Sequence, residues 1–391
     1  MPAPKKVLFV SHKANRSGAP VLLLNIIREF KKTTNVPIQV LLMEDGVLAK
    51  EFKAVGKTFT WNKKTAAKTL DANPLVRLVN RIAFVLRGTF ILFKLRNTSL
   101  VFLNTITNGP MHKKLLFLKC RFICYVHELD AAINMLTNKN SLEITLNHTN
   151  LFLSVSEAVK ENLICNHNVN ENLIKVVASP FLENELLRNK NDYAAFVQSI
   201  KEKNKISPEA VVIGISASNE WRKGFDLFVP LVKIYFELFP GSNVYFIWKG
   251  FRNENASAWF DLYDYQRAGI DKQALLVEHG EDNIEWMAAF DIHLLLARED
   301  PYPLVVLEAA SLAIPTICFA NAGGSPEFIE NDCGFIVTYG DLLTMAKRIK
   351  ELVGDTTMRK AMGKKAQEKL ALRHSKEKAM GGFIDILKAN V

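Results

Sequence analysis

The chain has 391 residues, enough for two domains with separate cores, and its 49% hydrophobic and 23% charged residues exclude an intrinsically disordered protein. The formal charge of +10 is unevenly placed: residues 1 to 180 carry 25 Lys and Arg against 11 Asp and Glu, a formal +14, whereas residues 181 to 391 carry 25 against 29, a formal −4. The most membrane-like stretch, Ala83 to Leu95, is too short to span a bilayer and is broken by Arg87 and Lys94.

The opening MPAPKKVLFVSHK puts two lysines before a short apolar strand, with no long apolar core and no small-residue cleavage site, so it does not read as a signal peptide. The five cysteines, at 120, 124, 165, 318 and 333, are an odd number and favour reduced thiols in a cytoplasmic protein. Cys120 and Cys124 read as buried core thiols; half a metal site is the other reading, but no second Cys or His pair stands at ligand spacing.

In chain order, Lys6–Ser11 is an apolar run followed by a polar loop and a helical pattern from Pro20 to Phe30. Further strand-like runs are Pro37–Met43, Leu100–Asn104, Arg121–Val126 and Leu151–Ser154. The pattern restarts with Ala210–Ser216, Asn243–Trp248, Ala274–Glu278, Asp291–Leu296 and Pro315–Phe319, with helical stretches between. Strands alternating with helices predict parallel, doubly wound sheets, whose ligands bind beyond the carboxyl ends of the strands. The polar, Asn- and Lys-rich stretch Leu182–Pro208 reads as the interdomain connection. Lys57–Arg96 holds nine basic residues and only Asp71 as an acid, with Phe59, Trp61, Phe84, Phe90 and Phe93 interleaved. That composition suits anionic lipid headgroups, a phosphate-bearing acceptor or nucleic acid, or else marks one or two amphipathic helices with a solvated basic face.

Four stretches carry residues suited to chemistry. In SHKANRSGAP, Ser17 suits a cap, Gly18 allows close approach of a ligand to the backbone, and Pro20 suits a first helical turn; an ordinary strand-to-helix turn has the same composition. The dinucleotide and P-loop glycine spacings are absent. SNEWRKGFD places Arg222 and Lys223 beside Gly224 at a strand end, where they can grip a diphosphate or form a solvated basic turn. In REDPYPLVVLEAASLAIPTICFANAGGSPEFIE, a helix starting near Pro303 and Leu304 aims free N–H groups at a ligand, and Asp300 stands just before it. Glu308 is the single charge from Leu304 to Leu312, so a buried helix leaves its carboxylate in need of partners such as paired ribose hydroxyls. Gly323-Gly324-Ser325-Pro326-Glu327 then forms a second loop and helix start. In YVHELD, His127 at a strand end either bonds a sugar, assists a leaving group, or is structural.

Together these motifs resemble the large family of retaining, nucleotide-sugar-dependent glycosyltransferases of the GT-B fold, which act on bacterial surface polysaccharides. The resemblance lies in Asp300, seven residues and Glu308-Ala309, then Gly323-Gly324-Ser325-Pro326-Glu327, with Arg222-Lys223-Gly224, VSEAVKENL from Val155, and His127-Glu128 in the family's order. Asp300 stands where the family usually carries Glu, and the Ser216-Ala217-Ser218 region replaces the arginine often found before its lysine. The resemblance implies two Rossmann-like α/β domains facing a cleft: an acceptor domain over residues 1–185, a donor domain over 208–370, and a helical segment over 371–391 packing back toward the first. It implies Glu308 on the ribose, Asp300 on the donor sugar and Arg222 with Lys223 on the diphosphate. Gly18, Pro303 and Leu304 complete the expected donor set, and His127 and Asp300 are the expected catalytic residues. No metal or cofactor is expected beyond the nucleoside-diphosphate sugar as substrate. Expected partners are that sugar, a glycan or lipid-linked acceptor, and an anionic membrane surface on the cytoplasmic side, but not nucleic acid. Other readings are a GT-B-like nucleotide-sugar epimerase or hydrolase, and a basic nucleic-acid-binding protein.

Overall fold

The computed structural model describes residues 5–16, 18–62, 74–177, 188–255 and 257–391. The chain forms two units: Met1–Val155, Val159–Leu182 and Lys376–Val391 in the first, Ser156–Ala158 and Glu183–Ser375 in the second.

The first unit holds strands β1 (Val7–Ser11), β2 (Ile38–Glu44), β3 (Lys57–Asn62), β4 (Leu100–Leu103), β5 (Arg121–Val126), β6 (Leu151–Ser154) and β7 (Ile174–Val176). They pair in parallel in the order β3-β2-β1-β4-β5-β6-β7. All residues of β1 and β4 are buried, as a strand covered on both faces requires. Its core includes a run of rings crossing the sheet: Phe9 lies 5.6 Å from Phe102, Phe102 lies 6.2 Å from Tyr125, and Tyr125 lies 4.8 Å from Phe383 on helix Lys376–Asn390. That helix also buries Ile384 and Leu387, and so closes one face of this unit.

The second unit holds β8 (Val211–Ser216), β9 (Val244–Phe251), β10 (Ala274–Glu278), β11 (Ile292–Leu295), β12 (Thr316–Phe319) and β13 (Gly334–Val337), all parallel, in the order β10-β9-β8-β11-β12-β13. Helix Phe225–Leu238 covers one face through Phe225, Phe228 and Tyr235, packed on Phe246 and Trp248. Ile200, Val212, Met287, Phe290 and Leu312 form a second cluster in the same unit.

The structure corrects three readings. The described part of Leu182–Pro208 is not a bare connection: a 3-10 turn, Lys190–Tyr193, and helix Ala194–Lys203 pack into the second unit, with Phe196 edge-on to Trp286 at 6.0 Å. Asn189, Asn191, Lys203 and Lys205 are exposed, whereas Phe196, Val197 and Ile200 supply the buried side and Lys190 donates inward to Phe290 O. Lys57–Arg96 begins with a strand, β3, before helix Pro74–Leu95 starts; the segment 63–73 between them lies outside the described residues. Cys124 is buried, but Cys120 is only partly so, and all five thiols are free.

Candidate active site

Each sheet reverses its winding once, between β1 and β4 in the first unit and between β8 and β11 in the second. At such a switch point the adjacent loops diverge to opposite faces and leave room for a ligand at the strands' carboxyl ends. The sequence-predicted residues of the second unit follow the two strands at its switch point. After β8 come a 3-10 turn, Trp221–Lys223, and then Gly224; after β11 comes the segment Leu296–Pro303.

These two segments are laced together. Arg298 N–H donates to Arg222 O at 2.9 Å, and the Arg222 guanidinium donates to Glu299 O at 2.9 Å. Arg298 grips Asp226 with two bonds of 2.7 Å and lies over the Trp221 ring at 4.7 Å. Gly224 has φ 77°, and an added Cβ would stand 2.1 Å from Leu296 O, so both conformation and space demand glycine. Within this frame Lys223 Nζ forms an ion pair with Asp300, whose side chain is 8% exposed.

Asp300 is held from its other side by the double glycine. Its N–H donates to Ala322 O at 2.7 Å, and Gly324 N–H approaches Asp300 O and Pro301 O at 3.2 Å each. Gly323 sits at φ 121°, where a Cβ would meet Asp300 O at 1.8 Å. The glycine pair thus fixes the backbone that carries the carboxylate. Three residues on, Pro303 with extended backbone begins helix Leu304–Ser311, which no side chain caps, so its first N–H groups and positive dipole end follow directly on Asp300. Glu308 lies half-buried in the middle of that helix, and Ser325–Ile329 forms a further short helix after the glycines.

His127 and Gly18 belong to the first unit, after β5 and after β1. Gly18 is the first residue of helix Gly18–Thr33; Ser17 lies outside the described residues. The His127 ring is set by Asn104, which follows β4. The Asn104 amide donates to Ala19 O at 2.9 Å, which turns its Oδ1 toward His127 Nε2 at 3.2 Å and puts the ring proton on Nε2. Burial, with His12 nearby, lowers the His127 pKa to about 3. The ring is therefore a neutral donor near pH 7, suited to a hydrogen bond and poorly suited to general acid catalysis.

Sequence reasoning gave no role to two further groups. The Glu128 carboxylate accepts from Thr105 Oγ1 and from His127 N–H at 2.9 Å, and burial raises its pKa to about 7. Lys249, at the end of β9 and 2% exposed, pairs with Asp282 at 2.7 Å and donates to Glu278 O at 2.8 Å. Its signal was present in NVYFIWKGF, a lone charge in an apolar run, as Glu308 is in its own.

Two doubly wound parallel sheets of this order in one chain are the GT-B architecture of glycosyltransferases. Residues 196–369 match the model of the family Glycosyl transferases group 1. Over 230 residues the chain is 24% identical to the capsular polysaccharide biosynthesis glycosyltransferase CapM of Staphylococcus aureus, covering 58% of each. Over 115 residues it is 31% identical to N-acetyl-alpha-D-glucosaminyl L-malate synthase of Bacillus anthracis, covering 29% of this chain and 30% of that one. The matches thus span less than two thirds of these relatives. A crystal structure of Anabaena Alr3699/HepE in complex with UDP and glucose superposes with a TM-score of 0.75 at 17% identity, over 98% of this chain and 100% of that one.

Proposed function

We propose that the protein is a retaining glycosyltransferase that moves a sugar from a nucleoside-diphosphate sugar to a glycan or lipid-linked acceptor in surface polysaccharide or lipopolysaccharide synthesis. The observation that carries this reading is the convergence of Arg222, Lys223, Asp300 and the start of helix Leu304–Ser311 after β8 and β11, the two strands at the switch point. It lies within the stretch that matches the family model. The similarity to a capsular polysaccharide enzyme supports the acceptor class.

In this proposal the second unit holds the donor. The base-bearing ribose is bound through Glu308, the diphosphate by Lys223, Arg222 and the N–H groups after Pro303, and the sugar by Asp300. Breaking the bond between the anomeric carbon and the phosphate oxygen leaves negative charge on the diphosphate. Cations and backbone dipoles already fixed around it stabilise that charge without reorganising, and they supply it without a divalent ion. His127 contributes a hydrogen bond from its neutral ring, and the first unit receives the acceptor.

The test is a thermal-shift screen over nucleotide sugars and free nucleoside diphosphates, followed by transfer to polyprenyl-diphosphate-linked glycans with NMR of the product's anomeric configuration. A ligand that binds the folded state raises its melting temperature in proportion to the logarithm of its excess over Kd. Stabilisation by one nucleotide family and transfer with retention are expected. No shift with any nucleotide, or product of inverted configuration, overturns the corresponding part of the proposal.

A further inference from the structure

Among the described residues, helix Pro74–Leu95 packs on the first unit through its C-terminal half. Its C-terminal turns pack: Ile91 and Leu95 are buried, Arg87 donates to Thr60 O, and Gly88 stands against the Trp61 ring, where an added Cβ would lie at 3.1 Å. Trp61 is itself buried and meets Phe84 edge-on at 6.1 Å, so these two rings belong to the attachment. From Val76 to Leu86 every residue whose side chain is described is exposed.

On the side away from Ile91 and Leu95, the spacing i, i+3, i+7, i+11, i+14 aligns Val79, Ile82, Leu86, Phe90 and Phe93 in one stripe. These five large apolar side chains are between 52% and 64% exposed, a contiguous surface that water solvates poorly. At 100° per residue, Lys94 lies about 80° to one side of the stripe's centre and Arg81 about 140° to the other, both exposed. Lys94 Nζ lies 5.2 Å from the Phe90 ring and the Arg96 guanidinium 3.8 Å from Phe93, so cations sit beside the apolar rings.

We infer that this helix is a docking element for an anionic lipid surface, lying in the plane of the headgroups with Val79, Ile82, Leu86, Phe90 and Phe93 immersed. The charge around it selects lipid over a protein groove. From Ala72 to His127 the chain has no Asp or Glu and nine Lys and Arg. A protein partner with an apolar groove would have to desolvate Lys94 and Arg96 or supply acids for them. A headgroup layer accepts the apolar stripe below and the cations at phosphate level together. No helix among the described residues is long and apolar enough to cross a membrane, and four cations in this one favour the in-plane position. Docking brings the first unit to the surface that carries lipid-linked acceptors, yet it is measured without donor or acceptor and so stands or fails separately from the proposed activity.

The experiment is co-sedimentation of the full chain with phosphatidylcholine vesicles and with vesicles also containing phosphatidylglycerol, at low and high salt. Wild type is compared with a triple variant, Ile82→Ser, Leu86→Ser and Phe90→Ser, and with a double variant, Arg81→Gln and Lys94→Gln. All five positions are exposed, so circular dichroism and melting temperature should match wild type in both variants. The inference expects binding to anionic vesicles only, weakened by salt, with the double variant losing about tenfold or more of its affinity. The triple variant should lose binding even at low salt, because charge alone does not replace the immersed side chains. Equal capture by neutral vesicles, wild-type binding by either variant, or a concentration-dependent dimer that no vesicle disturbs overturns it; the last outcome assigns the stripe to a second copy of the chain.

Discussion

Lys223 and Asp300, 77 residues apart in the chain, form an ion pair between the turn after β8 and the segment after β11. Both side chains are largely buried, at 19% and 8% exposure, so neither charge is well solvated without the other. This pair joins the cation proposed for the diphosphate to the carboxylate proposed for the sugar, and it has a consequence for stability. Truncating one partner leaves the other buried without its counter-charge.

Lys223→Ala is therefore expected to destabilise the second unit by about 3 kcal/mol or less, since the pair keeps some solvent access. The double variant Lys223→Met with Asp300→Asn should recover much of that loss, because it leaves no lone buried charge. Urea denaturation of wild type, single and double variants measures both; a double variant no more stable than Lys223→Ala contradicts the argument.

Glu308→Gln keeps the size of the side chain and removes its charge. A hydrogen bond to a charged group is worth about 1.5–3 kcal/mol, so a ribose contact through Glu308 predicts a loss of tenfold or more in kcat/KM for the donor. Unchanged kcat/KM, measured at saturating acceptor, removes Glu308 from the donor site.

Gly323→Ala places a methyl 1.8 Å from Asp300 O at φ 121°. Backbone strain of this kind costs on the order of 1–3 kcal/mol, and the clash adds to it. The variant should melt at a lower temperature and lose transfer activity beyond what the stability change explains, since the segment carrying Asp300 must move. Calorimetry together with kinetics well below the melting point distinguishes the two effects.

Glu128 supplies a pH dependence. Burial raises its folded-state pKa to about 7 from the ordinary carboxylate value of 4.5. The folded state thus favours the protonated form, and this contribution to stability is present below the unfolded pKa and is lost as pH rises through about 7. One pKa unit corresponds to about 1.4 kcal/mol, which bounds the effect at about 3 kcal/mol. Glu128→Gln should flatten the profile, so that wild type loses stability relative to the variant between about pH 4.5 and 7. Melting curves across that range check it, and parallel profiles refute it.

Transfer should persist in excess EDTA, because Arg222, Lys223 and the N–H groups after Pro303 supply the charge opposite the diphosphate in the proposed mechanism. Loss of activity restored by Mg²⁺ or Mn²⁺ would contradict that part of the reading.

The ten strands legible in the sequence, such as KVLFVS and AVVIGIS, include every interior strand of the two sheets, where burial on both faces demands continuous apolar residues. The three passed over, β3, β7 and β13, are all edge strands. KTFTWN alternates polar and aromatic residues, IKV is three residues long, and GFIV opens on Gly334 at φ 151°. An edge strand is held by one neighbour and needs less apolar sequence, so pattern alone does not expose it. In the candidate site, Arg222 and Lys223 stood out as two cations beside Gly224 at a strand end, Asp300 and the helix after it through the prolines at 301 and 303, and Glu308 as a lone charge in an apolar run. The ion pair between Lys223 and Asp300 was not legible, because it depends on a switch point that brings the ends of β8 and β11 together. Nor was the neutral state of His127, which rests on its burial beside His12, nor its tautomer, which the Asn104 amide sets once Ala19 O has oriented it.

With Lys223 proposed for the diphosphate and paired to Asp300, a bound nucleoside diphosphate has to open that pair. Isothermal titration calorimetry of UDP, GDP and ADP into wild type, Lys223→Ala and Asp300→Asn tests it most directly. A diphosphate competes with Asp300 for Lys223, so Asp300→Asn should bind the preferred nucleotide more tightly than wild type and Lys223→Ala at least about tenfold more weakly. Equal affinities in all three proteins, or weaker binding by Asp300→Asn at unchanged stability, would contradict it.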